Sequence, residues 1–474
     1  MSILKKSIAG VKWTALSYGI GSVSELVFGI VLARILSPAD FGSMAVLGVI
    51  ILFATSIVNS GFNQSLIRDP EVTDRDYATI FGFNLGMSLV LFLVMILGSG
   101  WIAAFYERAD LGPYLMVLAS VLIIQALGFT PYVQLTRQLD FKRLTQINIS
   151  ATLISGLLAV SGAFLGFGLW ALIIKVLTKE ALNTAQYYWA IPKRPGLGFS
   201  KELFKKHAGF GGFFLLSSFV NQIYANILTM ILGKYFDLKT LGFYNRSEMV
   251  RNLFSQNILG VVTNVSYPAL AQVQTDIHKL RSGYLLLQSQ SFYLVTIAMS
   301  VLFVTADPVV RILLGPQWLE SIPILQILCF QGMLQPLTSI NMNVFNIVGK
   351  PKVYFYFQLG MCLILIPVVL WSIPHGLTMG LVAILGVNFL GMLCSFGLIH
   401  SLLGITIRDF SEGYGLTVLL GVLIGLQIFM PAMGQPVAEL FIKGLCSLSL
   451  ILLFGHVLRH KAYQNTLQFI NQKK

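Results

Sequence analysis

The sequence predicts an all-α integral membrane protein of about fourteen transmembrane helices, built as two pseudo-symmetric six-helix lobes around a central cavity with an additional carboxy-terminal helix pair. Three observations predict it. The 474 residues are 56% hydrophobic and 11% charged, with a mean hydropathy of +0.78, whereas a soluble chain carries about a quarter charged residues. Apolar runs of about 18 residues or more recur from one end of the chain to the other, and each is long enough to span a bilayer as a helix. Lys and Arg gather on alternate connections between those runs, as they do in polytopic proteins. Because the runs are continuous and do not alternate residue by residue, they exclude a β-barrel.

Hydropathy, interrupted by Pro, Gly and charge, places helices near 10–34, 40–66, 78–105, 111–135, 144–168, 170–191, 207–234, 240–270, 283–306, 320–348, 354–373, 377–403, 414–432 and 436–458. The opening Met1-Ser2-Ile3-Leu4-Lys5-Lys6 has the charge of a signal-peptide n-region. The apolar stretch behind it is too long and lacks a small-residue cleavage site, so it reads as a retained first helix. With the amino terminus in the cytoplasm, basic residues such as Arg137, Lys142, Arg143, Lys193, Arg194, Lys205 and Lys206 fall inside. Only Arg34, Arg108, Lys234, Lys239 and Arg311 fall outside, a ratio of roughly four to one that puts both termini in the cytoplasm.

The longest inside connection is basic and rich in Pro and Gly. It divides the chain into an amino-terminal six-helix lobe over 1–191, a linker over 192–206, a second six-helix lobe over 207–403, and a helix pair with a basic tail over 404–474. The lobes carry traces of duplication. Ala33-Arg34-Ile35-Leu36 through Phe41-Gly42 precedes Gly233-Lys234-Tyr235-Phe236 through Leu241-Gly242 by about 200 residues, at the first turn of each lobe. Pro113 and Lys142 precede Pro323 and Lys352 by about 210 residues, at the ends of the fourth helix. Each lobe starts inside, so the repeats share one topology and relate by an axis along the membrane normal.

Ionisable groups inside spans cost about 2.5–3.5 kcal/mol each on insertion scales, so they mark a cavity or a partner. Five basic residues fall within spans: Lys175, Lys179, Arg246, Arg251 and Lys443, accompanied by Glu25, Glu180 and Glu248. At about 1.5 Å per residue Glu25, Arg246 and Arg251 occupy the outer half to the midplane. Asn221, Gln222 and Asn226 lie at similar depth on the seventh helix, with Asn59, Asn63 and Gln64 nearer the inside on the second. The candidate substrate-binding set is therefore Arg246, Arg251, Glu25, Asn221, Gln222, Asn226, Lys175 and Lys179. Structural readings stand beside it. Glu248 and Arg251 are spaced to pair on one helix, Glu180 to compensate one of Lys175 and Lys179, Lys443 to snorkel to the interface, and the amides to link helices.

Guanidinium groups hold phosphate oxygens bidentately and stay charged, which suits an anionic cargo such as a polyprenyl diphosphate. Glu25 then has two readings: a partner for an arginine in the empty site, or a carrier of a proton or sodium ion in a coupled cycle. The net charge of +13 is spread over short loops and forms no single patch, so it points to membrane lipids and not to nucleic acid. A Walker A loop is absent, and the spacing of His207, His278, His375, His400, His456 and His460 shows no metal-ligand cluster. No metal or cofactor is therefore expected. Cys329, Cys362, Cys394 and Cys446 fall inside apolar runs and read as buried, unpaired thiols. The longest outside segment, Asp307 to Leu319, leaves little room for sugar chemistry, so an enzyme is disfavoured.

The strings Ile8-Ala9-Gly10-Val11-Lys12-Trp13, Val31 through Gly42, and Leu241-Gly242-Phe243-Tyr244-Asn245-Arg246 resemble the polysaccharide transporter family of the MOP flippase superfamily. Val265-Ser266-Tyr267-Pro268-Ala269-Leu270, Gly315-Pro316-Gln317-Trp318 and Ile322 through Cys329 are similar to its colanic-acid-type, Wzx-like exporters. The resemblance covers most of the first twelve helices and fades in the last two. It implies a MATE-like fold, alternating access and an undecaprenyl-diphosphate-linked oligosaccharide as cargo, for exopolysaccharide, capsule or O-antigen synthesis. It also implies a polysaccharide polymerase and export machinery as partners. The basic positions that a lipid II flippase carries in its first two helices have no evident match here, which argues against lipid II. A cation-coupled multidrug exporter of the same superfamily, and more remotely a membrane glycosyltransferase, are the competing functions.

Overall fold

A computed structural model describes residues 3–59, 61–191, 194–429 and 435–457. Lys193 of the linker and the basic tail from residue 458 lie outside the described residues, as do the side chains of Asn59 and Gln64. Every regular element among the described residues is helical: α1 (Ile3–Ile35), α2 (Pro38–Asn59), α3 (Phe62–Arg68), α4 (Asp74–Phe105), α5 (Leu111–Leu118), α6 (Ser120–Arg137), α7 (Phe141–Phe164), α8 (Leu169–Ala190), α9 (Lys201–Tyr235), α10 (Leu238–Gln272), α11 (Ile277–Val304), α12 (Ala306–Leu313), α13 (Ser321–Ile347), α14 (Pro351–Ser372), α15 (Leu377–Leu403), α16 (Ile407–Gly425) and α17 (Pro436–Val457). Eight helical stretches among the described residues are long and apolar enough to cross a membrane. The chain is a multi-pass membrane protein. Apolar side chains face outward along those stretches, with Leu97 81% and Trp101 84% exposed on α4, as a lipid-facing surface requires. α8 is not among the eight because Lys175, Lys179 and Glu180 all fall within its 22 residues.

Local chemistry sets the ends that hydropathy leaves blurred. α9 begins at Lys201, six residues before the expected start, because the Ser200 side chain accepts from the Leu203 amide. α16 begins at Ile407, where Thr406 and Asp409 form a reciprocal capping box. The expected helix over 40–66 is two helices, parted at Gly61 with φ +72. A left-handed residue cannot continue a helix. α12 is a short helix in the connection after α11, with Ala306, Pro308 and Val310 buried.

The duplication is visible in the elements. α1 stops at Ile35 and α2 starts at Pro38; α9 stops at Tyr235 and α10 starts at Leu238. Each break is held by an aspartate, since Asp40 accepts from the Ser37 amide at 2.9 Å and Asp237 from the Thr240 amide at 2.9 Å. Further on, α5 and α6 together cover Leu111–Arg137 and α13 covers Ser321–Ile347, with Pro131 and Pro336 inside them. α7 and α14 then start at Phe141 and Pro351.

The chain forms two compact units, Met1–Gly242 and Phe243–Lys474. In the first, α7 packs on α1 and α8, α6 on α4 and α8, and α9 along α2. Phe62, Leu66, Ile80, Phe129 and Val133 form a buried cluster there, with Phe83 and Phe204 against it. In the second, α11 packs on α13 and α16, and α13 on α15. Three of these helices are joined by buried polar groups: Tyr284 donates to Asn341 at 2.6 Å, and Asn341 donates to Ser395 at 2.9 Å. In lipid such bonds between helices do work that hydrophobicity cannot, because lipid tails are as apolar as leucine.

Candidate functional site

In the first unit, α1 brings one carboxylate against two ammonium groups of α8. Lys175 Nζ lies 2.5 Å from one oxygen of Glu25 and Lys179 Nζ 2.7 Å from the other. The lysines stand one turn apart and so share a face of α8. Glu25 lies ten residues before the end of α1 and Lys179 ten residues after the start of α8, which places both about 15 Å from those ends. That is the middle of a hydrocarbon core about 30 Å thick. Glu25 therefore pairs with lysines and not with an arginine, correcting one of its two expected partnerships. Glu180 lies beside Gln125 and Lys179, and Gln125 accepts from Thr55 at 3.1 Å. The side chain that neutralises the lysines is Glu25, 150 residues away in sequence, where local spacing had pointed to Glu180.

The seventh-helix amides are on α9 in the same unit. Asn226 donates to the Gln222 backbone and side-chain oxygens at 3.0 and 3.2 Å, a bond within one helix. Asn221 and Gln222 are half-buried. Phe219, just before them, meets Phe53 of α2 edge-on at 5.2 Å between ring centres.

Arg246 and Arg251 belong to the second unit, on α10. Arg251 reaches Glu248 at 3.4 Å, the structural pair that their spacing offers, and Asn252 at 2.7 Å. Glu248 also accepts from Tyr244 at 3.3 Å. The Arg251 stem passes close to Gly332 of α13, where an added Cβ would lie 3.6 Å from Arg251 Cγ and 2.6 Å from the Met299 sulfur. Arg246 Nη1 lies 3.0 Å from the Met249 sulfur, a soft partner.

Three expectations need correction. Lys443 does not snorkel: its side chain is 6% exposed and binds Glu439 at 2.5 Å and the Val304 carbonyl at 3.3 Å. The spacing i, i+4 to Glu439 was readable in the sequence. A cluster of metal-ligating type does exist, for Asp69, Asp76 and His207 bring one ligand atom each to within 4.8 Å of one another. It is assembled by tertiary structure over more than a hundred residues, so motif spacing cannot show it. Its bonds are already made internally: His207 Nδ1 meets Ser65 Oγ at 2.8 Å, His207 Nε2 meets Asp76 Oδ1 at 3.0 Å, and Lys206 Nζ lies 2.5 Å from Asp69. Arg137 closes the same corner by donating to the Leu66 and Asp69 carbonyl oxygens. Finally, Cys329 and Cys362 are buried as expected, but Cys394 is exposed and Cys446 half-buried, on apolar faces that meet lipid.

The second unit also contains an apolar cavity of about 1770 Å³. Phe292 and Ser300 of α11, Phe330 of α13, Phe389 of α15 and Val422 of α16 are among the side chains around it.

The family model described as "Polysaccharide biosynthesis protein" matches residues 31–323. Among curated relatives, the chain is 28% identical to the teichuronic acid biosynthesis protein TuaB of Bacillus subtilis strain 168, over 77% of this chain and 76% of that one. It is 26% identical to the lipopolysaccharide biosynthesis protein WzxC of Escherichia coli strain K12, over 86% of this chain and 84% of that one. Among solved structures, it is similar to the lipid II flippase MurJ in an inward closed conformation, with a TM-score of 0.73, 15% identity, and coverage of 95% and 99% of the two chains.

Proposed function

The chain belongs to the polysaccharide biosynthesis protein family, and from that premise we propose that it is a flippase, carrying an undecaprenyl-diphosphate-linked oligosaccharide from the cytoplasmic to the outer leaflet. The observation that carries the reading is the Glu25 cluster, where two lysines at mid-membrane depth meet one carboxylate. Ammonium groups in hydrocarbon are costly, and an anionic cargo can pair with them as Glu25 does. The name of WzxC and the fold shared with MurJ support a lipid-linked saccharide. The apolar cavity of the second unit is large enough to take part of a polyprenyl chain.

On this reading fourteen helices span the bacterial inner membrane with both termini in the cytoplasm, and the cargo crosses by alternating access. In the first unit Lys175 and Lys179 hold the diphosphate or an acidic sugar, while Asn221, Gln222 and Asn226 meet sugar hydroxyls; in the second, Arg246 and Arg251 offer guanidinium groups to an anionic part of the cargo. Glu25 couples a proton or sodium ion to the cycle. A polymerase and export machinery take the cargo onward. Reconstituted protein should move fluorescent polyprenyl-diphosphate oligosaccharides between leaflets. Failure across a panel of sugars, with drug efflux instead, would assign the chain to multidrug export.

A further inference from the structure

The Glu25 cluster is shaped like an occupied receptor. Each carboxylate oxygen goes to a different ammonium group, at 2.5 and 2.7 Å. Glu25 thus bridges both ammonium groups, while Glu180 lies beside Lys179 and bonds Gln125, which also accepts from Thr55. Exposure is graded in a telling order: the Glu25 side chain is 39% exposed, Lys179 26% and Lys175 16%. The anion sits on the open side and the cations behind it. The buried pair Glu439 and Lys443, by contrast, has both partners at like depth, 8% and 6% exposed.

We propose that Glu25 is a built-in surrogate anion, occupying a two-lysine receptor for a phosphate or carboxylate group of the cargo until the cargo displaces it. The proposal rests on the flippase reading for the identity of the cargo, but not for the receptor itself. A phosphate presents paired oxygens much as a carboxylate does, so either accepts the same two donors. In the empty protein Glu25 spares the lysines the cost of unpaired charge in a low dielectric. It also lowers apparent affinity, because the receptor is open only in the fraction of molecules where Glu25 has swung away. Weak holding suits a carrier that must release what it binds.

The test is isothermal calorimetry on the full-length protein in detergent, with inorganic pyrophosphate and glucuronate as separate probes. Glu25→Gln should bind at least one of them about tenfold tighter than the native chain, the gain expected when about 1.4 kcal/mol of internal competition is removed. Adding Lys175→Gln and Lys179→Gln to that variant should abolish the gain. Pyrophosphate alone would identify the carrier diphosphate as the displacing group, glucuronate alone an acidic sugar, and both a general anion receptor. Glu25→Asp keeps the charge on a shorter arm and should fall between, which guards against loss of fold in Glu25→Gln. Equal affinity in the native chain and both variants, or a gain that survives loss of the lysines, overturns the proposal. Leaflet transfer by the native chain is measured in parallel. Tighter pyrophosphate binding without transfer would leave the receptor standing and defeat the flippase reading; transfer without tighter binding would do the reverse.

Discussion

Gly42 and Gly242 hold the first turns of α2 and α10 against each other by reciprocal contact: a Cβ on Gly42 would lie 1.8 Å from the Leu238 carbonyl oxygen, and one on Gly242 1.9 Å from that of Pro38. Gly42 and Gly242 are 200 residues apart, as are Pro38 and Leu238, so equivalent positions of the two segments make equivalent contacts. The obstacle on each side is backbone, which cannot rotate away as a side chain does.

Alanine at either glycine should therefore destabilise the protein by about 1–3 kcal/mol through overpacking. Gly48, also on α2 with nothing within 4 Å of a Cβ, is the control. Its alanine variant should be neutral or gain up to about 1 kcal/mol from helix propensity. Thermal melting of the detergent-solubilised variants distinguishes the three; equal melting temperatures would mean that the close approach does not exist.

The His207–Asp76 bond fastens the start of α9 to the start of α4, with each side chain only 1–2% exposed. Replacing His207 by alanine leaves a buried carboxylate short of a donor, which should cost about 1–3 kcal/mol. The loss should appear first as faster proteolysis at the linker over 194–200, because Ser200 also donates to Thr79 at this corner. Unchanged melting and proteolysis would contradict it.

Lys206 donates to Asp69 beside that bond and holds the Asp69 carboxyl below its ordinary value of 3.8. A depressed acid stabilises the fold above its unfolded value and loses that contribution as pH falls through the folded one. Asp69→Asn should thus lower the melting temperature between pH 5 and 8 and leave it unchanged well below pH 3.8. Lys206 is 47% exposed, so solvent screening keeps the effect small. A larger loss at acid pH than at neutral pH would reverse the sign and refute the assignment.

Glu439 and Lys443 are a buried pair on α17. Removing one partner, as in Lys443→Met or Glu439→Leu, should cost about 3–5 kcal/mol, while the double variant should recover most of it. A double-mutant cycle on melting temperature measures this. Additive losses would show that the two side chains do not interact.

These relationships divide by how far apart in sequence their partners lie. Apolar run length, loop charge and the 200-residue offset were legible because each is a property of a segment or of two similar segments. The Glu248–Arg251 pair was legible from helical spacing, and Glu439–Lys443 obeys the same rule. The partners of Lys175, Lys179 and His207 were not, because only packing of α8 on α1, and of α9 on α3 and α4, brings them together. The helix starts at Lys201 and Ile407 escaped hydropathy because caps are polar and short-range.

Leaflet transfer reads flippase activity directly. Proteoliposomes loaded with a fluorescent polyprenyl-diphosphate oligosaccharide are treated with a membrane-impermeant quencher, which reads the fraction that has reached the outer leaflet. The native chain should equilibrate the label. The Lys175→Gln/Lys179→Gln variant, matched for amount and melting temperature, should do so at least about tenfold more slowly, as when the two substitutions together raise the barrier by about 1.4 kcal/mol. Transfer at the native rate by that variant would exclude the two lysines from the transport path, and no transfer by the native chain with any sugar would exclude a flippase.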